Sequence, residues 1–451
     1  MNNSKIKTNS NIIDIALRKT TYKEVDEGYN DEQAMSEADR CLNCKTKPCM
    51  EGCPIHNDIP SFIEAIKKQD YENGYLTLKK TSLMPYICAR VCAQEKQCEK
   101  NCTRAKTGDS VAIGELERYL VSKCEQYDSM PLNIIPLNGL KVALIGSGPS
   151  SLACAEVLIK EGYECDVYES LPFLGGLLMF GIPAFRLPKE NISNKIQYLK
   201  NLGVKFYINK TLGKDFTLND LKTKYDYVYL GIGAMNSKKM GIDGEQLHGV
   251  YLGNEYLKRM NCYEYYLDDE LAKEMRNIKN VVVVGGGNVA MDVSRVALRN
   301  GANVNLVYRR SEQEAPCRPL ELRETKEEGV CVNFLTNPVA IKGKDNVEAV
   351  IVRKMELGEP DESGRRSPHE IIGSDYEIPC DAIIYAIGND LDKNGLCGIA
   401  TQKYIVVDDN GLTNIPHVYA GGDAVTGPNT VVHAIAQGKK IANQIIKENK
   451  K

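Results

Sequence analysis

Four thiols stand close together in "CLNCKTKPCMEGCP", at Cys41, Cys44, Cys49 and Cys53, with Pro54 directly after the last. A second group, Cys88, Cys92, Cys98 and Cys102, follows in "CARVCAQEKQCEKNC". Thiolates in fours can hold zinc or an iron–sulfur cubane, and in an oxidising compartment they pair as disulfides. Zinc sites usually combine two CxxC pairs across a longer loop, whereas these groups contain only one CxxC. A disulfide scaffold suits a short secreted chain, and this one has 451 residues with 16 cysteines, many scattered outside the two groups. In compact iron–sulfur runs ending in Cys-Pro, the last thiolate can serve a second cluster, so the eight cysteines suit two 4Fe–4S cubanes.

Glycine turns add a second kind of chemistry, the binding of pyrophosphate. "KVALIGSGPSSLACAEVLIKEGYECDVYES" (141–170) and "VVVVGGGNVAMDVSRVALRNGANVNLVYRR" (281–310) each read strand, glycine turn, helix, glycine, strand. Gly146, Gly148 and Gly162 fall on Gly285, Gly287 and Gly301 without a gap. In such a unit the first glycine permits the tight turn, the second lets backbone amides approach the phosphates, and the helix N-terminus supplies a favourable dipole. The first turn comprises Gly146, Ser147, Gly148, Pro149 and Ser150, the second Gly285, Gly286, Gly287, Asn288 and Val289. The third glycine of the strict pattern is replaced by Ser151 and Ala290, both small enough for close helix–strand packing.

The two units differ where the ribose would lie. Glu169 ends the second strand of the first unit, and a carboxylate there accepts ribose hydroxyls but repels a phosphate. The matching place in the second unit holds Tyr308, followed by Arg309 and Arg310. That pair suits a 2′-phosphate or, more plainly, a solvated loop. FAD is therefore expected in the first site and NADPH in the second. "YLGIGA" (229–234) with Gly233 and "IYAIGN" (384–389) with Gly388 read as strand-to-turn crossings between two domains. "VYAGGDAV" (418–425) sets Gly422 and Asp423 before a helix, an arrangement able to hold the ribitol and phosphate of FAD.

These sites need elements to hold them, and 451 residues are too many for one ordinary core. The expected fold class is α/β, with two interleaved Rossmann-like domains, for FAD and NADPH, preceded by an α-helical iron–sulfur domain. Residues 1–138 form the helical part, where "SFIEAIKKQDYENGYLTLKK" carries apolar residues at helical spacing. Residues 139–255 begin the FAD domain, 256–380 form the NADPH domain, and 381–451 complete the FAD domain. Hydrophobic residues at 43% and charged residues at 26% are the balance of a globular protein. A net charge of −3 without a basic stripe excludes nucleic acid as the expected partner. No apolar run approaches the roughly 20 residues that span a bilayer, and "MNNSKIKTNS" lacks the apolar stretch of a signal peptide, so a cytoplasmic location is expected.

Taken in order, "RCLNCKTKPCMEGCPIHNDIP", "ICARVCAQEKQCEKNC", "GGLLMFGIPAFRLPK", "GGGNVAMDVSRVALRNGA", "VYRR" and "AGGDAVTGPNTVVHAIAQGKK" resemble the small (beta) subunit family of NADPH-dependent glutamate synthase. The module is also similar to the flavin and NADPH half of dihydropyrimidine dehydrogenase. A third likeness is to the larger subunit of the electron-bifurcating NADH-dependent ferredoxin:NADP oxidoreductase. The resemblance implies interleaved ligand sets, Cys41, Cys44, Cys49 and Cys102 on one cluster, and Cys53, Cys92 and Cys98 on the other. Glu117 of "VAIGELERY" then supplies the remaining ligand and Cys88 is spare, while an ordinary helix glutamate and ligation by Cys88 stay open as the other readings. It also brings Gly176 and Leu177 to the flavin. Ser151 and "AIGND" depart from the family pattern, which puts tight flavin binding and the contact near Gly388 in question.

Nicotinamide delivers two electrons as a hydride, a cubane accepts one, and a flavin can convert between them. The expected function is thus NADPH-dependent electron transfer through FAD and two 4Fe–4S clusters to a larger glutamate synthase-type subunit, or to another flavoprotein or ferredoxin partner. Residue 2 is Asn rather than a cysteine nucleophile, so glutamate formation is left to the partner. The alternatives are the larger subunit of the bifurcating enzyme, the electron-input subunit of a dihydropyrimidine dehydrogenase and, from another class, a cluster-based redox sensor. His56, His248, His369, His417 and His433 show no catalytic spacing, and no CxxC lies near either turn to serve disulfide reduction. No acid–base residue is assigned, since hydride transfer to a flavin demands orientation first.

Overall fold

The computed structural model describes residues 2–124, 135–362 and 364–450. The joint expected around "NIIPLNGL" (133–140) lies partly outside the described residues. In the first part, short helices surround the thiols, among them Asp31–Ala38, Ile59–Lys67, Tyr71–Lys79, Pro85–Val91 and Ile113–Lys123. The run 61–80 divides between two of these helices. Gln69 turns the chain with a left-handed φ of 55°, and Asp70 caps the second helix by accepting from the Asn73 amide. Apolar spacing continues across the turn, with Phe62, Ile63, Ile66, Tyr75 and Leu78 all buried, so periodicity alone does not reveal the break.

Beside the first thiol the chain is held by a buried ion pair. Arg40 donates to Glu37 at 2.6 Å and to the carbonyls of Ser4, Asp109 and Ser110, while Glu37 accepts the Ala112 amide. This network fixes the N-terminal segment and the loop before Ile113–Lys123 against Cys41. Removing one partner of such a pair costs about 3–5 kcal/mol, because the other is left buried and uncompensated.

Two five-stranded parallel sheets follow. The first runs Val418–Ala420, Tyr227–Leu230, Lys141–Ile145, Glu164–Tyr168, Lys205–Tyr207, and so is completed from the far end of the chain. The second runs Cys331–Phe334, Asn303–Tyr308, Asn280–Val284, Ala382–Tyr385, Val250–Leu252. The last two strands pair with each other, which corrects the division at 255 and 381 that assigned both to the FAD domain. Each is a run of three or four residues that suits either sheet, and only the pairing decides. The chain crosses instead at a two-stranded antiparallel ribbon of Asn236–Ser237 and Asn389–Asp390. An antiparallel sheet of Thr336–Lys342, Ala349–Pro360, Arg366–Glu370 and Tyr376–Pro379, not foreseen from the sequence, is inserted in the second domain.

The stretch "FRLP" (185–188) fastens the three parts together. The Phe185 ring lies under the guanidinium groups of Arg299 and Arg295, at 3.8 and 4.6 Å from its centroid. Arg186 pairs with Asp292 and Glu321, and the Phe185 carbonyl accepts the Val25 amide from the N-terminal part. Among the described residues no helix is long and apolar enough to cross a membrane.

Candidate dinucleotide and iron–sulfur sites

A cavity of about 570 Å³ opens at the carboxyl ends of the first sheet's strands. It gathers Gly146, Ser147, Gly148, Pro149, Ser150, Glu169, Gly176, Leu177, Gly233, Gly422 and Asp423 from distant parts of the chain. Gly146 has φ 90°, and a Cβ on it would lie 2.5 Å from the Gly231 carbonyl oxygen, whereas a Cβ on Gly148 would meet nothing within 4 Å. The turn thus needs its first glycine for conformation and close packing, and at its second it leaves room for a ligand. Ser151 is fully buried, and a Cβ on Gly231 would overlap its hydroxyl, so a glycine on the neighbouring strand makes the space for this departure.

Ser147 ties the turn to the Glu169 carboxylate. Its amide and hydroxyl donate to Glu169 Oε2 at 3.0 and 2.6 Å, and its hydroxyl oxygen accepts the Gly175 amide at 2.9 Å. The Leu171 amide donates to the other oxygen, so Glu169 is pinned in the wall before any ligand binds. Burial pushes Asp423 up to about 6, opposed by a hydrogen bond from the Asn429 amide. The helix Val431–Asn449 crosses Pro149–Ile159 so closely that a Cβ on Gly438 would overlap the Ser150 carbonyl.

The second turn, Gly285 to Val289, lies outside this cavity and has a lid of its own. Asn288 Oδ1 accepts the Arg318 amide at 2.9 Å and the Gly286 carbonyl accepts the Cys317 amide at 3.2 Å. From the helical domain, Lys96 donates to the carbonyls of Pro316 and Cys317 at 2.8 and 2.9 Å. The paired arginines divide. Arg310 is buried, with Nη2 at 2.5 Å from Asp361 and Nε on the Arg366 carbonyl, whereas Arg309 is exposed. The two arginines expected to act together are thus set apart, Arg310 on Asp361 and Arg309 toward solvent. The inserted antiparallel sheet brings Asp361 over Arg310 and sets Arg365 near Arg309, a neighbour that sequence spacing could not reveal. Although Arg309 reaches solvent, partial desolvation and the charges of Arg310 and Arg365 lower its pKa. Gly388 does not line the cavity; its carbonyl accepts the Lys238 amide at 3.0 Å, beside the ribbon between the domains.

The thiols fall into two sets. Cys41, Cys44, Cys49 and Cys102 line one small cavity with Leu42, Pro48, Ile59 and Ile63. Burial, then the neighbouring Cys41 and Cys102, push Cys49 up to about 12, so the thiols face one another closely enough to interact. Cys53, Cys92, Cys98 and Glu117 form the second set, joined by Cys88. Contact with Cys88 and burial raise Cys92, and burial with the charges of Glu99, Cys53 and Glu117 raises Cys98. Glu117 is buried, its Oε1 has no hydrogen-bond partner, and burial alone lifts it to about 8. A carboxylate so placed fits a group that would accept it as a ligand and does not fit the surface of a helix. Among the described residues no three His, Cys, Asp or Glu side chains are grouped to hold a single metal ion. The first set instead surrounds a small space, as ligands at the corners of a cluster would.

A pair of dinucleotide units behind a thiol-rich helical domain defines the pyridine-nucleotide oxidoreductase class with an iron–sulfur front end. Residues 140–438 match the family model described as pyridine nucleotide-disulphide oxidoreductase, and 18–129 the one described as dihydropyrimidine dehydrogenase domain II, 4Fe-4S cluster. The chain is 36% identical to the glutamate synthase (NADPH) small chain of Escherichia coli, across 96% of this chain and 95% of that protein. It is 37% identical to the NADP(+)-dependent formate dehydrogenase subunit beta of Moorella thermoacetica, across 89% of this chain and 59% of that one. The structure of Mycobacterium tuberculosis FprA in complex with NADPH superposes with a TM-score of 0.59 at 22% identity, covering 70% of this chain and 85% of that one, a likeness of fold. The chain belongs to the glutamate synthase small-chain family.

Proposed function

We propose that the chain is the electron-input subunit of a two-component enzyme. It takes hydride equivalents from NADPH and sends electrons singly, through FAD and two 4Fe–4S clusters, to a larger glutamate synthase-type partner. One contact carries this reading. Gln97, next to Cys98, donates through Nε2 to Thr430 Oγ1 at 3.3 Å, and Thr430 lines the 570 Å³ cavity. The buried second set of ligands therefore stands against the wall of the flavin site. The first set is only partly buried, which makes it the exit toward a partner.

Bound FAD supplies the conversion of one two-electron transfer into two single ones. The residues of the chain do the holding. The Gly146–Ser150 turn takes the pyrophosphate of FAD, Glu169 its ribose and Asp423 its ribityl hydroxyls. The Gly285–Val289 turn takes the pyrophosphate of NADPH, and Arg309 its 2′-phosphate. Leu177, Phe180, Ile232, Leu252 and Val431 exclude water from the cavity. Thr430 Oγ1, accepting from Gln97, also shares a 2.6 Å hydrogen bond with His433 Nδ1 and so fixes the contact between cavity and thiol loop. The same proposal places the protein in the cytoplasm, where thiols stay reduced.

Anaerobic purification from the native cell tests this reading. The expected product is coloured, holds FAD and about eight irons with matching sulfide per chain, and is reduced by NADPH. With the co-purified large partner it should form glutamate from 2-oxoglutarate and glutamine. A colourless protein, or a flavin that NADPH does not reduce, would overturn it.

A further inference from the structure

Among the polar residues of the flavin cavity that lie outside the dinucleotide pattern, Asn254 and Lys258 share one helix. Asn254 is 6% exposed, its Oδ1 is buried with no hydrogen-bond partner, and its Nδ2 lies 3.4 Å from the Met235 carbonyl. A buried amide oxygen left bare costs about 1–3 kcal/mol, so the site is complete only with a donor that the protein does not provide. Lys258 lies one turn further along the same helix, Gly253–Asn261, and also lines the cavity. It has no ion-pair partner within 4 Å among the described residues, and burial and Arg259 lower its pKa against the opposing charges of Glu255 and Asp269. Residues four apart share a helix face, so both side chains address one ligand.

The rest of the wall says which part of the ligand that is. Glu169 and the Gly146–Ser150 turn suit the adenosine diphosphate half, and Asp423 the ribityl chain. Elsewhere the wall offers the apolar side chains of Leu177, Phe180, Met235 and Leu252 together with Asn254, Glu255 and Lys258, where a flat apolar ring with polar edges fits. A flavin ring offers an imide N–H donor. On accepting a hydride, two electrons with one proton, it holds negative charge on its pyrimidine side, and charge placed there tunes its potential.

We infer that Asn254 and Lys258 are positioning residues for the flavin ring, Asn254 Oδ1 accepting the imide N–H and the Lys258 ammonium balancing the charge of the reduced ring. This inference rests on the cavity being the FAD site. The test is anaerobic spectroelectrochemical titration of the full chain with FAD bound. Lys258→Met should disfavour the reduced flavin about tenfold, a fall of about 30 mV for a two-electron couple, and Lys258→Arg should restore it. Asn254→Leu should weaken FAD binding about tenfold, the low end of the cost of an unmade buried hydrogen bond, and shift the visible bands. Asn254→Ser carries the same expectation if the leucine variant does not fold. Unmoved potential and spectrum in variants that retain FAD would overturn the inference and leave the FAD reading intact. A wild-type chain that holds no FAD would remove both.

Discussion

Replacing Arg309 with alanine separates a phosphate clamp from a solvated loop. Of the two arginines after Tyr308, Arg310 is committed to Asp361 and the Arg366 carbonyl, so any 2′-phosphate must rely on Arg309. A hydrogen bond between charged groups contributes about 1.5–3 kcal/mol. At 1.4 kcal/mol per tenfold, that range corresponds to losses of roughly 10- to 150-fold. Arg309 is exposed, so solvent and salt screening favour the lower end. Stopped-flow flavin reduction should therefore show about a tenfold weaker dependence on NADPH, with NADH unchanged and a smaller difference at high salt. Arg310→Ala should behave differently, lowering the unfolding temperature by removing the part-buried Arg310–Asp361 ion pair while keeping the NADPH/NADH ratio. Equal losses with both nucleotides for Arg309→Ala, or a larger change of ratio for Arg310→Ala, would refute the reasoning.

Asp423 gives FAD binding a pH dependence. Its pKa of about 6 stands above the usual 3.8, so in the FAD-free chain its carboxylate is ionised only above about pH 6. If the ionised form accepts the ribityl hydroxyls, affinity is full above that value and falls about tenfold per unit below it. Fluorescence titration at pH 5 and 7.5 should show the fall, and Asp423→Asn should bind weakly and equally at both. Glu117→Ala should alter the paramagnetic resonance signal of one cluster and leave NADPH reduction of the flavin intact; two unchanged signals would make Glu117 a buried residue without a ligand role.

Local patterns proved readable where a unit satisfies itself within a short stretch. The turns at Gly146 and Gly285, the apolar strands before them and the helices after them are such units, because the positive φ of the glycine and the strand and helix on either side are settled by near neighbours in the chain. Sheet membership was not readable at Val250–Leu252 or Ala382–Tyr385, since a short strand can satisfy its backbone in either sheet. Nor was the commitment of Arg310, because Asp361 arrives on a hairpin with no counterpart in the glycine pattern. Asn254 carries no local signal at all; only the cavity shows that its amide oxygen lacks a partner.

By themselves, the kinds and intervals of residues determined the chemistry: thiolates in fours for iron and sulfur, paired glycine turns for two dinucleotides, a carboxylate in one unit against a cation in the other. The tertiary structure alone decided that Arg310 meets Asp361 while Arg309 faces outward, and that Gln97 touches the wall of the flavin cavity. Those meetings join segments far apart in the chain, and the burial of whole cores, not any local pattern, brings them together.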